Sequence, residues 1–128
     1  MRHGVWATCL LLAAAPSAWA QEAGPGSSGG DLVAQGKRAF DAAGCGGCHF
    51  PGSIVAPPLE GVAGRRIAGA GRYAYSTGLR AKAGTWTDAN LDAFLTDAQA
   101  FAPGTEMLSP ATDEGQRQAI IAYLKTLP

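Results

Sequence analysis

The residues with the most chemistry in this chain sit side by side: Cys45, Gly46, Gly47, Cys48 and His49. Two thiols three positions apart on a tight turn can each add to a vinyl group of one porphyrin. The histidine that follows then lies beneath the iron with a ring nitrogen free to coordinate it. CxxCH is the attachment sequence of a covalent c-type haem. Other chemistries compete for the pair. An exported chain could close it as a structural disulfide or use it for thiol redox, although no βαβ pattern surrounds it here. A zinc site needs three or four Cys, His or carboxylate ligands, and residues 21–128 contain no other Cys or His to complete one.

That ligand inventory depends on the N-terminus. Arg2 and His3 are followed by an apolar stretch from Val5 to Ala15 and by Ala18-Trp19-Ala20, the charged start, short apolar run and small-x-small site of an export signal. Cleavage is expected after Ala20. An uncleaved anchor is the alternative, but the run is short and Pro16 closes it. Removal of residues 1–20 takes Met1, His3 and Cys9 with it. Cys45, Cys48, His49 and Met107 remain as the Cys, His and Met side chains of the mature chain. Residues 21–30, with four glycines and two serines, read as a flexible lead-in, and the folded domain is expected over 31–128.

Composition narrows the rest. At 128 residues, 47% hydrophobic and 16% charged, the chain fits one small domain. Ten basic side chains balance ten acidic ones, so there is no basic stripe of the kind that neutralises phosphates, and nucleic acid is a poor partner. No apolar run after the leader approaches the roughly 20 residues that cross a bilayer, so no stable membrane insertion is expected once the leader is gone.

Helices must position the motif. Asp31 can cap a helix running to about Ala43, with Leu32, Val33, Gly36, Ala39 and Phe40 at three- and four-residue steps and Gly44 as its stop. Thr87 opens a second, in which Leu91, Phe94, Leu95 and Ala98 share a face, and Pro103-Gly104 closes the loop beyond it. A third begins near Asp113, with Gln116 as its capping-box partner and Ile120, Ile121, Leu124 and Leu127 along one stripe. Gly36 has no side chain and would let the last helix approach closely, beside Phe40, Tyr123 and Leu124. No segment alternates with the period of a strand.

From about Asp31 to Leu127 the sequence resembles class I cytochrome c of the mitochondrial and α-proteobacterial type. The motifs that carry the resemblance are CGGCH (45–49), APPLEGVAGR (56–65), AYSTGL (74–79), Trp86, PGTEM (103–107) and AIIAYLKTL (119–127). The resemblance implies an all-α fold in which N- and C-terminal helices cross and loops wrap one haem c, bound through Cys45 and Cys48. It points to Met107 as the iron's second ligand opposite His49, a choice also reached by elimination, since no other methionine follows the leader. It gives the Pro57 carbonyl as acceptor for the His49 Nδ1 proton, and Arg65, Tyr75 and Trp86 as partners of the haem propionates. Thr105 would brace the ligand loop.

The resemblance further implies a single-electron carrier rather than an enzyme; the export signal makes it periplasmic, and a monomer is the default expectation. It would shuttle between a donor such as a quinol-oxidising complex or dehydrogenase and an acceptor such as a terminal oxidase or reductase of a respiratory chain. A dedicated cytochrome subunit of one periplasmic dehydrogenase is an alternative, as is a ligand-binding or weakly peroxidatic haem protein if Met107 is off the iron.

The chain departs from the family in places. Phe94 stands where many relatives have tyrosine, and Leu79 where asparagine is usual, so fewer polar groups near the iron should disfavour the ferric charge and raise the potential. Residues 61–87 hold Arg65, Arg66, Arg72, Arg80 and Lys82 and no acid, whereas 88–114 hold six acids and no base. Gly44, Gln99 and Glu106 occupy places where mitochondrial relatives carry a lysine ring. Docking is therefore expected to rely on an apolar patch around the haem edge, with weak or reversed salt dependence. Ligand exchange at high pH should be delayed, because Glu106 stands where relatives offer a lysine.

Overall fold

The computed structural model describes residues 28–110 and 112–128. The proposed leader, residues 1–20, and the lead-in as far as residue 27 lie outside them. Five helices follow in order: α1 (Gly29–Ala42), α2 (Thr77–Arg80), α3 (Asp88–Thr96), α4 (Ala98–Phe101) and α5 (Glu114–Leu124), with a 3-10 turn at Cys45–Gly47 after α1. Among the described residues the only β pairing is an isolated bridge between Arg66 and Thr85. The all-α expectation holds.

Side-chain caps start four of the helices; at α2, Ser76 accepts from the Leu79 N–H at 3.2 Å. Thr87 accepts from the Asn90 N–H at 3.2 Å, Asp97 from Ala100 at 2.9 Å and Asp113 from Gln116 at 2.8 Å. The Gln116 side chain returns the bond to the Asp113 N–H at 3.3 Å. Each such cap is worth about 1 kcal/mol against alanine. The first helix begins earlier than the Asp31 cap predicts. Ser28 is the cap, and the Asp31 carboxylate reaches back to accept from the Ser28 N–H at 3.2 Å and its hydroxyl at 2.8 Å. Gly29 and Gly30, read as flexible lead-in, form its first turn. Asp31 in that turn also opposes the positive helix end, and this offsets the low helix propensity of two glycines.

The architecture rests on α1 against α5. A Cβ on Gly36 would overlap the Ala119 carbonyl and lie 2.9 Å from Tyr123 Cβ, so the two backbones touch there as only glycine allows. Phe40 meets Tyr123 edge-on, with ring centroids 5.3 Å apart. Phe40, Leu91, Leu95, Ile120, Ile121 and Leu124 belong to a single buried cluster together with Val62, Ile67, Tyr75, Leu79, Trp86 and Phe94. Arg117 of α5 donates to Asp92 of α3 at 2.8 Å and to the Thr112 carbonyl at 3.1 Å, and this ties α3 to α5.

Candidate haem site

The CxxCH segment leaves α1 through Gly44, whose φ of +73° is the left-handed conformation that glycine adopts without a Cβ clash. Within the turn the Cys45 carbonyl accepts from the Cys48 N–H at 3.2 Å and the His49 N–H at 2.9 Å, which fixes both cysteines and the histidine to one short arc. Neither cysteine is in a disulfide. In the chain without haem, partial burial pushes the Cys45 thiol above its ordinary value. Among the described residues no group of three or more His, Cys, Asp and Glu side chains converges as a metal cage would require.

His49 Nδ1 donates to the Pro57 carbonyl at 2.7 Å. A carbonyl can only accept, so this bond selects the tautomer with Nδ1 protonated and leaves the Nε2 lone pair as the ring's available donor to a metal. The segment that carries Pro57 is braced in turn. Arg65 Nη2 donates to the Pro58 carbonyl at 2.8 Å and Nη1 to the Glu60 carbonyl at 2.9 Å. Arg65 Nε is buried with no partner among the described residues. A buried, cationic donor without an acceptor is costly, and a carboxylate of a bound group would satisfy it.

Trp86 lies beside Arg65 because their backbones pair: the Trp86 N–H donates to the Arg65 carbonyl at 2.8 Å, and Gly64 donates to the Trp86 carbonyl at 2.9 Å. The Trp86 ring is buried, stacked on Phe101 at 5.7 Å and tilted against Phe94 at 5.2 Å. The buried Tyr75 hydroxyl accepts from the Ala70 N–H at 3.2 Å and keeps its own proton for a further acceptor. Arg65, Tyr75 and Trp86 thus offer an N–H, an O–H and an indole N–H from one loop system. Such a donor set suits an acidic ligand.

Met107 is half-buried and packs against the core cluster, between the exposed Glu106 and Leu108. Thr105 is buried, and its hydroxyl accepts from the Met107 N–H at 3.5 Å. Several contacts here had no signal in the sequence. The Gln99 side chain accepts from the Gly104 N–H at 3.2 Å and donates to the Thr105 carbonyl. Ser109 Oγ accepts from the Ala98 N–H at 2.7 Å. A Cβ on Gly78 would overlap the Pro103 carbonyl and lie 2.9 Å from the Ala102 carbonyl carbon, so α2 leans on the start of the same loop. Side chains that bond to backbone across a turn leave no periodic trace, which is why the sequence pointed only to Thr105.

The chain is similar to known proteins over this whole region. The cytochrome c family profile matches residues 33–128. Cytochrome c-554 of Methylosinus trichosporium is 37% identical over 120 residues, covering 90% of this chain and 89% of that protein. Cytochrome c of Tetrahymena pyriformis is 38% identical, covering 77% and 90% respectively. The solved structure of cytochrome cH from Methylobacterium extorquens superposes with a TM-score of 0.66 at 40% identity, covering 73% of this chain and 97% of that one. The chain belongs to the cytochrome c family. It accordingly carries one covalent c-type haem, with Cys45 and Cys48 as the cysteines of its attachment motif, and acts as a haem-based electron carrier with redox partners.

Proposed function

We propose that the protein is a periplasmic one-electron carrier whose haem iron is held between His49 Nε2 and the Met107 thioether. The observation that carries this reading is the His49 Nδ1 bond to Pro57, which presets the ring for coordination. The inward packing of Met107 supports the second ligand. Bound haem supplies a ferric/ferrous couple, and a soft thioether ligand favours the ferrous side. With His49 and Met107 both holding the iron, peroxide and dioxygen would find no open coordination site, which favours a carrier over an enzyme. Arg65 Nε, the Tyr75 hydroxyl and the Trp86 indole receive the propionates, and Thr105 braces the ligand loop.

Residues 1–20 are removed on export, so the mature chain starts at Gln21 and works as a monomer. Its partners are proteins: a quinol-oxidising complex or dehydrogenase as donor and an oxidase or reductase as acceptor. Among the described residues the large apolar side chains left exposed are Phe50, Ile54, Val55 and Leu108. All follow closely on His49 or Met107, and this supports an apolar docking patch beside the two ligands. The same patch favours a second reading, a cytochrome subunit held by one dehydrogenase, in which case a stable complex co-purifies.

The test is an optical spectrum of protein exported from a host with haem-attachment machinery. The oxidised form should show the weak methionine-to-iron band at the red edge, and the reduced form should ignore carbon monoxide. Attached haem without that band, together with carbon monoxide binding, would remove Met107 from the iron and make the protein a ligand-binding haem protein.

A further inference from the structure

Met107 sits at the crown of an arc that side chains hold on both flanks. Before it, the Gln99 amide spans two consecutive backbone groups, accepting from the Gly104 N–H at 3.2 Å and donating to the Thr105 carbonyl. After it, Ser109 Oγ accepts from the Ala98 N–H at 2.7 Å. Both straps anchor on α4, which Asp97 caps through the Ala100 N–H. Only Glu106, Met107 and Leu108 lie between the anchored residues. In that arc Glu106 and Leu108 are exposed while Met107 turns toward the core.

We propose that Gln99 is the positioning residue for Met107, with Ser109 as the second anchor. Together they restrict the loop to the arc that delivers the sulfur inward. The inference rests on Met107 being an axial ligand. The loop would otherwise hinge at Gly104, whose φ of +83° needs no support from a side chain. A loop end held by an amide on two backbone groups loses fewer conformations when the sulfur binds, because much of that ordering is already in place. The amide supplies a donor and an acceptor at once, and no other uncharged side chain of this length offers both from one planar group.

The experiment compares haem-loaded wild type with Gln99→Leu and Gln99→Glu by following the red-edge band against pH and the binding of carbon monoxide to the reduced form. Gln99→Leu should lose the band at a pH lower by about one unit, and carbon monoxide should bind roughly tenfold faster. Gln99→Glu provides a signature within one folded protein. Its protonated carboxyl can donate to the Thr105 carbonyl and accept from Gly104, whereas the ionised form places an acceptor against that carbonyl. Its band should therefore strengthen as pH falls through the carboxyl range, about 4 to 6, while wild type stays level. A Gln99→Leu variant that keeps the wild-type band and carbon monoxide behaviour overturns the inference, as does a Gln99→Glu band that is level across that range. In both cases the Met107 assignment survives; wild type without the band overturns both.

Discussion

Ala68 has a φ of +55° and is the one non-glycine residue with positive φ among those described. An L-side chain there crowds the following carbonyl at a cost of roughly 1–2 kcal/mol, and a glycine recovers that strain less its greater freedom in the unfolded chain. Ala68→Gly should therefore stabilise the haem-loaded protein by about 1 kcal/mol and raise its melting temperature by roughly 4 °C. No rise would show that the turn between Arg66 and Gly69 relaxes around the methyl group. A second residue sets a redox property. Phe94 is buried against Trp86 and Phe101, and its ring, lacking a hydroxyl, would offer no dipole to a ferric charge nearby. Phe94→Tyr should lower the midpoint potential in a spectroelectrochemical titration, and an unchanged or higher value would contradict that account. Phe94 was legible because a residue type stands out at a family position. The backbone strain at Ala68 and the two hydrogen bonds made by Gln99 were not legible, since both depend on the path of the loop rather than on the side chain's chemistry.

Helices were read well where a side chain announces them. Thr87 and Asp113 cap α3 and α5 as their sequence patterns indicate, because an N-cap needs only a polar residue and a free N–H three positions on. The cap of α1 was placed three residues late: Asp31 is chemically a good cap, yet Ser28 outcompetes it by using Asp31 as its own partner. Four-residue α2 and α4 have too few residues to show a period, so packing against the Met107 loop and the Ser76 and Asp97 caps define them instead. The α1–α5 contact gives the sharpest test at this scale. At Gly36 any Cβ meets the Ala119 carbonyl, an immovable backbone group, so Gly36→Val should cost about 3 kcal/mol or more and lower the melting temperature of the haem-loaded protein accordingly. An unchanged melting temperature would mean that the two helices are free to separate without loss.

For the molecule as a whole, many of the charged side chains are engaged with other groups of the chain. Several bases make intramolecular contacts while keeping their charge: Arg65 with the Pro58 and Glu60 carbonyls, Arg80 with the Tyr75 carbonyl and the Thr77 hydroxyl, and Lys82 over the Phe101 ring at 4.6 Å. Lys37, Arg117 and Lys125 are matched to Asp41, Asp92 and Asp88. Such pairs add little stability when exposed, and each cancels one cation and one carboxylate in the long-range field. Beside Met107 the exposed groups are the Glu106 carboxylate and the Leu108 side chain, and the His49 loop adds Phe50, Ile54 and Val55. A partner that covers these side chains gains from burying hydrocarbon, and the charged group among them is the Glu106 carboxylate. Stopped-flow electron transfer to an acidic partner should consequently change less than about tenfold between low and physiological salt, or rise as salt screens Glu106. A steep fall with salt would require a cationic docking face, and the apolar patch would then lie outside the path of the electron.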